Sequence, residues 1–107
     1  MIGKIVKVIV DRPLGSAHPK HNDLIYSVNY GYVPEIIAGD GEEQDVYILG
    51  VNTPLNEFTG KVIAVIHRKN DNEDKWVVVP ENISFSKEEI QKAVEFQEKF
   101  FDIEIET

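Results

Sequence analysis

The sequence contains no cysteine, few basic residues and no long apolar run. The absence of cysteine among its 107 residues excludes disulfide bonds, thiolate catalysis and zinc–cysteine sites. No apolar run approaches the roughly 18 residues that a membrane-spanning helix requires. Lysine and arginine number 11 against 19 aspartates and glutamates, and this formal charge of −8 argues against a nucleic-acid surface, which usually needs a basic stripe. We therefore expect a cytoplasmic protein with no nucleic-acid or membrane partner.

Short β-type segments separated by turn residues dominate the chain. They are predicted as extended segments or strands at Ile5–Val10, Leu24–Val33, Asp45–Val51, Lys61–His67 and Lys75–Val79. The N-terminal segment contains lysines and lacks a small-residue cleavage site, so it is typical of a strand and not of a signal peptide. Short strands at such spacing are typical of a small barrel or sandwich. We predict one mostly β domain over residues 1–107, built as a small closed five-stranded, OB-like barrel.

The C-terminal region has a helical pattern instead. Ser86 and Glu89 have the spacing of a capping box, and apolar residues recur behind them at helical spacing. We predict an amphipathic helix over about Lys87–Phe101 that closes the barrel, with its phenylalanines packed in the core. The tail DIEIET is predicted to be a short solvated extension or an added edge strand.

A first acidic turn carries Asp40, Glu42 and Asp45 around a glycine, just before a strand. In a turn that feeds a strand, these three side chains can converge on one point. Converging carboxylates repel one another unless a cation neutralises them, and hard oxygen ligands suit Mg²⁺ or Mn²⁺. Taken alone, however, such a turn is more often a solvated polar turn.

A second acidic turn, RKNDNEDK at residues 68–75, strengthens the metal interpretation. It carries Asp71, Glu73 and Asp74, with Arg68 and Lys75 at its two ends. If both turns open at the same end of a barrel, their carboxylates share one mouth with these cations. Such a mouth is suited to metal ions together with a phosphate-like anion. The alternative is simple ion pairing of the two cations with the same acids at the surface.

The aromatic and imidazole side chains admit more than one role. Tyr26, Tyr30 and Tyr32 alternate, so all three can lie on one strand face. Core packing is their usual role, but a phenol at a barrel mouth can donate a hydrogen bond to a phosphate oxygen. His18 and His21 have no third ligand nearby in the sequence, which argues against a histidine-bound zinc ion.

Three runs in this order resemble the soluble family I inorganic pyrophosphatases. They are NYGYVP at 29–34, DGEEQDV at 40–46 and EDKWVVVP at 73–80. In that family an aromatic segment precedes a cluster of acids, and a later acid-rich loop ends in a lysine that starts a strand. The resemblance covers residues 26–80 and is that of a short, divergent member. Glu42 replaces an aspartate of the family pattern, and a hairpin between Lys20 and Tyr26 is missing.

The resemblance implies a set of site residues. Metal ligands, for Mg²⁺ or alternatively Mn²⁺, would be Asp40, Glu42, Asp45, Asp71 and Asp74. Substrate contacts would come from Lys20, Arg68, Lys75 and Tyr30, with Arg12 as a further match to a family arginine. Catalysis would involve Asp45, Asp71, Lys75 and Tyr30, in which Asp45 or Asp71 accepts a proton from water. The implied reaction is Mg²⁺-dependent hydrolysis of inorganic pyrophosphate to two phosphates by metal-activated water.

Two other interpretations remain open at this point. The missing hairpin would leave a wider mouth, which favours a related metal-dependent hydrolase of another small phosphate ester or anhydride. A non-catalytic OB-like binding module is the second alternative, although the acidic charge and single tryptophan argue against nucleic acid as its ligand. The expected partner is a small phosphate-containing substrate, and a homo-oligomer is left open.

Overall fold

Five strands close into a barrel in the computed structural model, which describes residues 2–70 and 72–107. The strands are β1 (Ile5–Arg12), β2 (Asn29–Ile37), β3 (Glu43–Ile48), β4 (Glu57–Arg68) and β5 (Asp74–Val79). They follow the order β1-β2-β3-β5-β4, and pairing between β1 and β4 closes the sheet. The β3–β5 pair is parallel and the other barrel pairs are antiparallel. The predicted mostly β barrel is confirmed.

Alternation along the strands fills the barrel interior. Val6, Val8 and Val10 of β1 point inward, as their spacing predicts, and join valines and isoleucines from the other strands. The barrel is tight where β1 meets β2, because a Cβ on Gly31 would lie only 2.0 Å from the carbonyl oxygen of Ile9. Glycine is therefore required at the centre of the NYGY run.

A second apolar layer lies on the outer face of the barrel, under the helix α1 (Lys87–Glu98). Ile90 and Val94 of the helix are fully buried in this layer. The layer also contains Ala64 and Ile66 of β4, which reach the outer face because the register of β4 against β5 shifts after Val62. Such a bulge reverses the alternation of inward and outward side chains along a strand.

The helix begins as predicted but ends earlier than predicted. The Ser86–Glu89 capping box is present, whereas the helix ends at Glu98 and not at Phe101. The chain turns at this point to form an edge strand, β6 (Ile103–Glu106), which pairs with β4. The turn carries Phe100 into solvent, where it is 68% exposed. The predicted core packing of Phe100, and of Phe101 at 39% exposed, was therefore wrong, and the edge-strand interpretation of the tail is confirmed.

Several strand boundaries also differ from the sequence-based expectations, among them the starts of β2 and β4. Residues 24–28 contribute only a single bridge, between Ala17 and Ile25, because this stretch belongs to the long loop before β2. Strand β4 begins at Glu57, four residues earlier than expected, and these added residues pair with β1 to close the barrel. In the part of the chain that the structure describes, no helix is long and apolar enough to cross a bilayer.

Candidate active site

Strand pairing brings charged residues together on the outer face of the barrel, beyond the end of α1. In the parallel β3–β5 pair, Val46 lies opposite Trp76, and the register continues to place Asp45 beside Lys75. Both side chains point outward because their strand neighbours Val46 and Trp76 point into the barrel. Arg68, at the end of β4, shares this outer face with Ile66.

Lys75 is a buried cation that is fully hydrogen-bonded. Its side chain is only 3% exposed. Its Nζ donates to the hydroxyl of Tyr30 at 2.8 Å and to Oδ2 of Asp45 at 2.6 Å, and it also contacts the Glu73 carboxylate. These three contacts use all the donors of an ammonium group. Two carboxylates, one from β3 and one from the turn before β5, therefore converge on a single positive charge.

Arg68 forms a second buried ion pair, with Glu98 of the helix. Its Nε and Nη2 donate to the two Glu98 oxygens at 2.9 and 2.6 Å, and its Nη1 lies 3.5 Å from Glu73. The guanidinium carbon also lies 3.7 Å from the centre of the Phe101 ring. Burial alone would lower the pKa of Arg68, but the hydrogen bonds and charge of Glu98 raise this pKa above its ordinary value. Arg68 is therefore anchored to the helix.

A chain of hydrogen bonds continues from Glu98 to the loop after β1. The Tyr47 hydroxyl donates to Glu98 at 2.6 Å and accepts from Nε2 of Gln97 at 2.6 Å. The Tyr26 hydroxyl donates to Oε1 of Gln97 and accepts from Nη1 of Arg12, again at 2.6 Å each. Burial, followed by the charge of Glu98, raises the pKa of Tyr47 well above its ordinary value, so its hydroxyl remains neutral.

Part of this network borders a cavity of about 690 Å³. Tyr30, Asp45, Glu73 and Lys75 contribute to its lining together with Arg12, while the loop at 11–24 and the segment at 97–101 complete it. Burial, followed by the charge of Asp45, raises the pKa of Tyr30 well above its ordinary value, so Tyr30 is a neutral phenol at neutral pH. The cavity therefore combines carboxylates, cations and a phenol hydroxyl.

Of the three acids predicted to converge from the first acidic turn, Asp45 alone is among the residues that line this cavity. Asp40 and Glu42 are exposed, and the Glu42 N–H donates to Oδ1 of Asp40 at 3.0 Å within the turn. Strand β3 already begins at Glu43, so Asp45 is a strand residue whose outward direction is set by β-sheet alternation. Asp45 lines the cavity and the other two acids do not.

The second acidic turn contributes Glu73 where Asp74 was expected. Asp74 lies on the opposite face of β5 from Lys75, and its carboxylate pairs with His67 at 3.1 Å. Adjacent strand residues point to opposite faces, which is why one position decides the outcome. Asp71 lies outside the described residues. Within residues 2–70 and 72–107, no group of three or more His, Asp or Glu side chains is gathered to hold a metal ion.

Lys20, the substrate contact predicted in the loop between β1 and β2, also lies away from the cavity lining. Lys20 is exposed and does not contribute to the lining, whereas Arg12 does. The loop is held by Asn29, whose side-chain oxygen accepts from the backbone N–H groups of Leu14 and Leu55. Among the predicted substrate-contacting residues, Tyr30, Arg68 and Lys75 line the cavity.

Comparison with known proteins agrees with this arrangement of strands. The family model described as "Inorganic pyrophosphatase" matches residues 4–105. The chain belongs to the inorganic pyrophosphatase family. An inorganic pyrophosphatase of Xylella fastidiosa is 33% identical over 86 residues, which are 74% of this chain and 43% of that protein. One of Saccharolobus solfataricus is 33% identical over 66 residues, which are 58% of this chain and 38% of that protein.

Solved structures of inorganic pyrophosphatases share the fold. The structure from Ehrlichia chaffeensis has a TM-score of 0.73 at 17% identity and covers 99% of this chain and 87% of its own. The structure from Neisseria gonorrhoeae has a TM-score of 0.64 at 24% identity and covers 88% of this chain and 72% of its own. The chain nevertheless spans less than half the length of the curated relatives that it matches, at 38% and 43%.

Sequence reasoning missed the helix residues that reach the site. Gln97 and Glu98 are buried, and both enter the hydrogen-bond network. A signal for Glu98 exists in the sequence, because it follows Ile90 and Val94 at intervals of four residues on the buried helix face. A charged residue on such a face requires a partner, and Arg68 is the partner that the fold supplies.

Proposed function

We propose that this member of the inorganic pyrophosphatase family hydrolyses inorganic pyrophosphate to two phosphates in the cavity beside Lys75, in a Mg²⁺-dependent reaction. The observation that carries the proposal is the convergence of Asp45 and Glu73 on Lys75 inside a cavity of the family fold. Three of the residues that the family resemblance singles out, Tyr30, Asp45 and Lys75, meet there.

The residues of the cavity fit a hard divalent cation. Asp45 and Glu73 already converge on one positive charge, the Lys75 ammonium, and two carboxylates carry more negative charge than one ammonium neutralises. Carboxylate oxygens are the donors that Mg²⁺ and Mn²⁺ prefer. The two acidic turns are also neighbours, because a Cβ on Gly39 would lie 3.2 Å from the carbonyl oxygen of Asn72.

We assign Asp45 and Glu73 as the central metal ligands. The family resemblance adds Asp40, Glu42 and Asp71 from the flanking turns. When bound, Mg²⁺ would lower the pKa of a water molecule and offset the negative charge on phosphoryl oxygens.

The chain's own residues have separate roles in the proposed reaction. Lys75 and Arg12 bind phosphoryl oxygens and stabilise the charge that develops on the leaving phosphate. Lys75 would exchange a carboxylate contact for a phosphoryl contact when Asp45 and Glu73 hold the metal. Tyr30, held neutral by its surroundings, positions Lys75 through the 2.8 Å hydrogen bond. Asp45 accepts the proton of the attacking water, with Asp71 as the alternative acceptor from the sequence. Arg68 supports the site through Glu73 and the helix.

Phosphate release from pyrophosphate, measured with Mg²⁺ and with a chelator, tests the proposal. We expect Mg²⁺-dependent phosphate release in the parent protein. In Lys75→Met the rate should fall by a factor of about 10² or more, because a well-placed electrostatic group is lost. Lys92→Met, on the exposed face of α1, is the matched control and should retain the parent rate.

A thermal melt gives a second readout that does not depend on turnover. In Lys75→Met, Asp45 and Glu73 lose their shared cation and repel one another. Added Mg²⁺ should then raise the melting temperature of Lys75→Met more than that of the parent protein or of Lys92→Met. Absence of phosphate release from the parent protein at any Mg²⁺ concentration would reject the proposed activity and leave the two alternatives, a hydrolase of another phosphate compound or a non-catalytic binding module.

A further inference from the structure

The cavity is larger than pyrophosphate requires. Its volume of about 690 Å³ falls in the range of about 300–1,000 Å³ that is usual for sites of drug-sized organic ligands. Pyrophosphate is a small ion that would fill only the part of this space beside Lys75. The remaining volume is available to a larger group attached to the phosphates.

The lining of the cavity is chemically divided. One part is polar and charged, around Lys75 and Arg12, and another part is apolar, formed by Leu24, Phe100 and Phe101. Phe100 is 68% exposed. The Arg68 guanidinium lies over the Phe101 ring, and the Lys99 ammonium lies 5.3 Å from the centre of the Phe100 ring. Phe100 is the more accessible ring, because Phe101 is only 39% exposed.

The lining of the cavity contains the carboxylates of Asp11 and Asp23 but also offers two cations to an anion. In residues 2–70 and 72–107, Arg12 and Lys99 have no carboxylate oxygen within 4.0 Å of their cationic nitrogens. Arg12 is instead held by the hydroxyl of Tyr26. A ligand that carries phosphates at one end and a flat aromatic ring at the other would satisfy both parts of the lining.

We propose that the cavity binds a nucleoside phosphoanhydride, with its phosphates toward Lys75 and Arg12 and its base against Phe100. This inference rests on the proposed function for its chemistry. The oxygen of water would form a bond to the terminal phosphorus, and the bond from that phosphorus to the bridging oxygen would break. The bridging oxygen leaves as part of a nucleotide one phosphate shorter, inorganic phosphate is formed, and a proton of the water passes to Asp45.

Calorimetric titration in Mg²⁺ buffer with ADP and with methyl diphosphate tests the inference. Methyl diphosphate keeps the substituted anhydride but lacks the base. We expect ADP to bind the parent protein about tenfold more tightly, which is the size of effect that one stacked base supplies. The ratio of the two dissociation constants should fall toward one in Phe100→Ser. Ile37→Ser removes an equally exposed apolar side chain, 62% exposed on β2 and outside the cavity lining, and should keep the parent ratio.

Phosphate release from pyrophosphate and from ADP in the same samples separates this inference from the proposed function. Pyrophosphate hydrolysis with equal affinities for ADP and methyl diphosphate would overturn the inference alone. Base-dependent ADP binding without pyrophosphate hydrolysis would support the inference and overturn the proposed function. A self-associated form that Phe100→Ser dissociates, with no change in the ADP ratio, would overturn the inference and assign Phe100 to a contact between copies of this chain.

Discussion

Replacing Glu98 by leucine removes the carboxylate that joins α1 to β4 while keeping an apolar side chain on the buried helix face. The Glu98 side chain is 1% exposed and that of its partner Arg68 is 6% exposed. The change leaves the guanidinium without its two shortest hydrogen bonds, at 2.6 and 2.9 Å, and leaves the Tyr47 hydroxyl without its acceptor. Removing one partner of a buried ion pair typically destabilises a protein by about 3–5 kcal/mol. We expect the lower end of this range, because Glu73 remains 3.5 Å from Arg68.

A double mutant separates the ion pair from the loss of packing. In Glu98→Leu/Arg68→Met both charges are absent, and no buried cation is left unpaired. Replacing a complete buried pair by apolar residues is often neutral or stabilising, so we expect the double mutant to recover most of the stability lost in Glu98→Leu. The free energy of unfolding in urea is the measurement, and the single tryptophan, Trp76, is a suitable probe because it is 4% exposed in the fold.

The control is Glu95→Leu, on an exposed position of the same helix, which should change the free energy of unfolding by at most about 0.5 kcal/mol. The reasoning would be refuted if Glu98→Leu cost no more than this control. It would also be refuted if the double mutant were as unstable as the two single changes added together, because the coupling energy of the pair would then be absent.

Two further predictions concern local structure. Ser86→Ala should lower the free energy of unfolding by about 1 kcal/mol through loss of the helix cap, and a thermal melt without a shift would contradict the capping role. The hydrogen bond that His67 donates to the Glu106 carboxylate, opposed by partial burial and aided by Asp74, raises the pKa of His67. The stability that protonated His67 adds should therefore be complete below its unfolded pKa of about 6.5 and should be lost as pH rises through the higher folded pKa. Urea midpoints measured from about pH 5 to pH 8 should show this loss in the parent protein and not in His67→Phe; equal pH profiles would contradict it.

Local pattern predicted much of the architecture. Short β-type segments between turn residues located all five barrel strands, and the Ser86–Glu89 pair located the start of the helix. These features depend on neighbours within a few positions, such as the period of two in a strand or the reach of a capping side chain. The order of aromatic segment, acidic turn and lysine also identified the family, because that order is a property of the chain and not of its folding.

The identity of the side chains that face the cavity could not be predicted from local sequence pattern. A shift of one residue along a strand reverses the face of every side chain, so the choice between Glu73 and Asp74 depended on where β5 begins and pairs. Arg68 reaches the cavity because a bulge after Val62 reverses the alternation in β4. No feature of the predicted strand Lys61–His67 marks that bulge.

The amino-acid sequence by itself determined the strands, the helix start, the excess of acids and the family to which the chain belongs. Only the tertiary structure decided which charges meet. Lys75 is shared by Asp45 and Glu73, and Arg68 is bound by Glu98, 30 residues further along the chain. Such contacts depend on barrel closure, strand register and the position of α1 on the outer face. Each of these properties arises from the packing of the whole domain and not from any single segment.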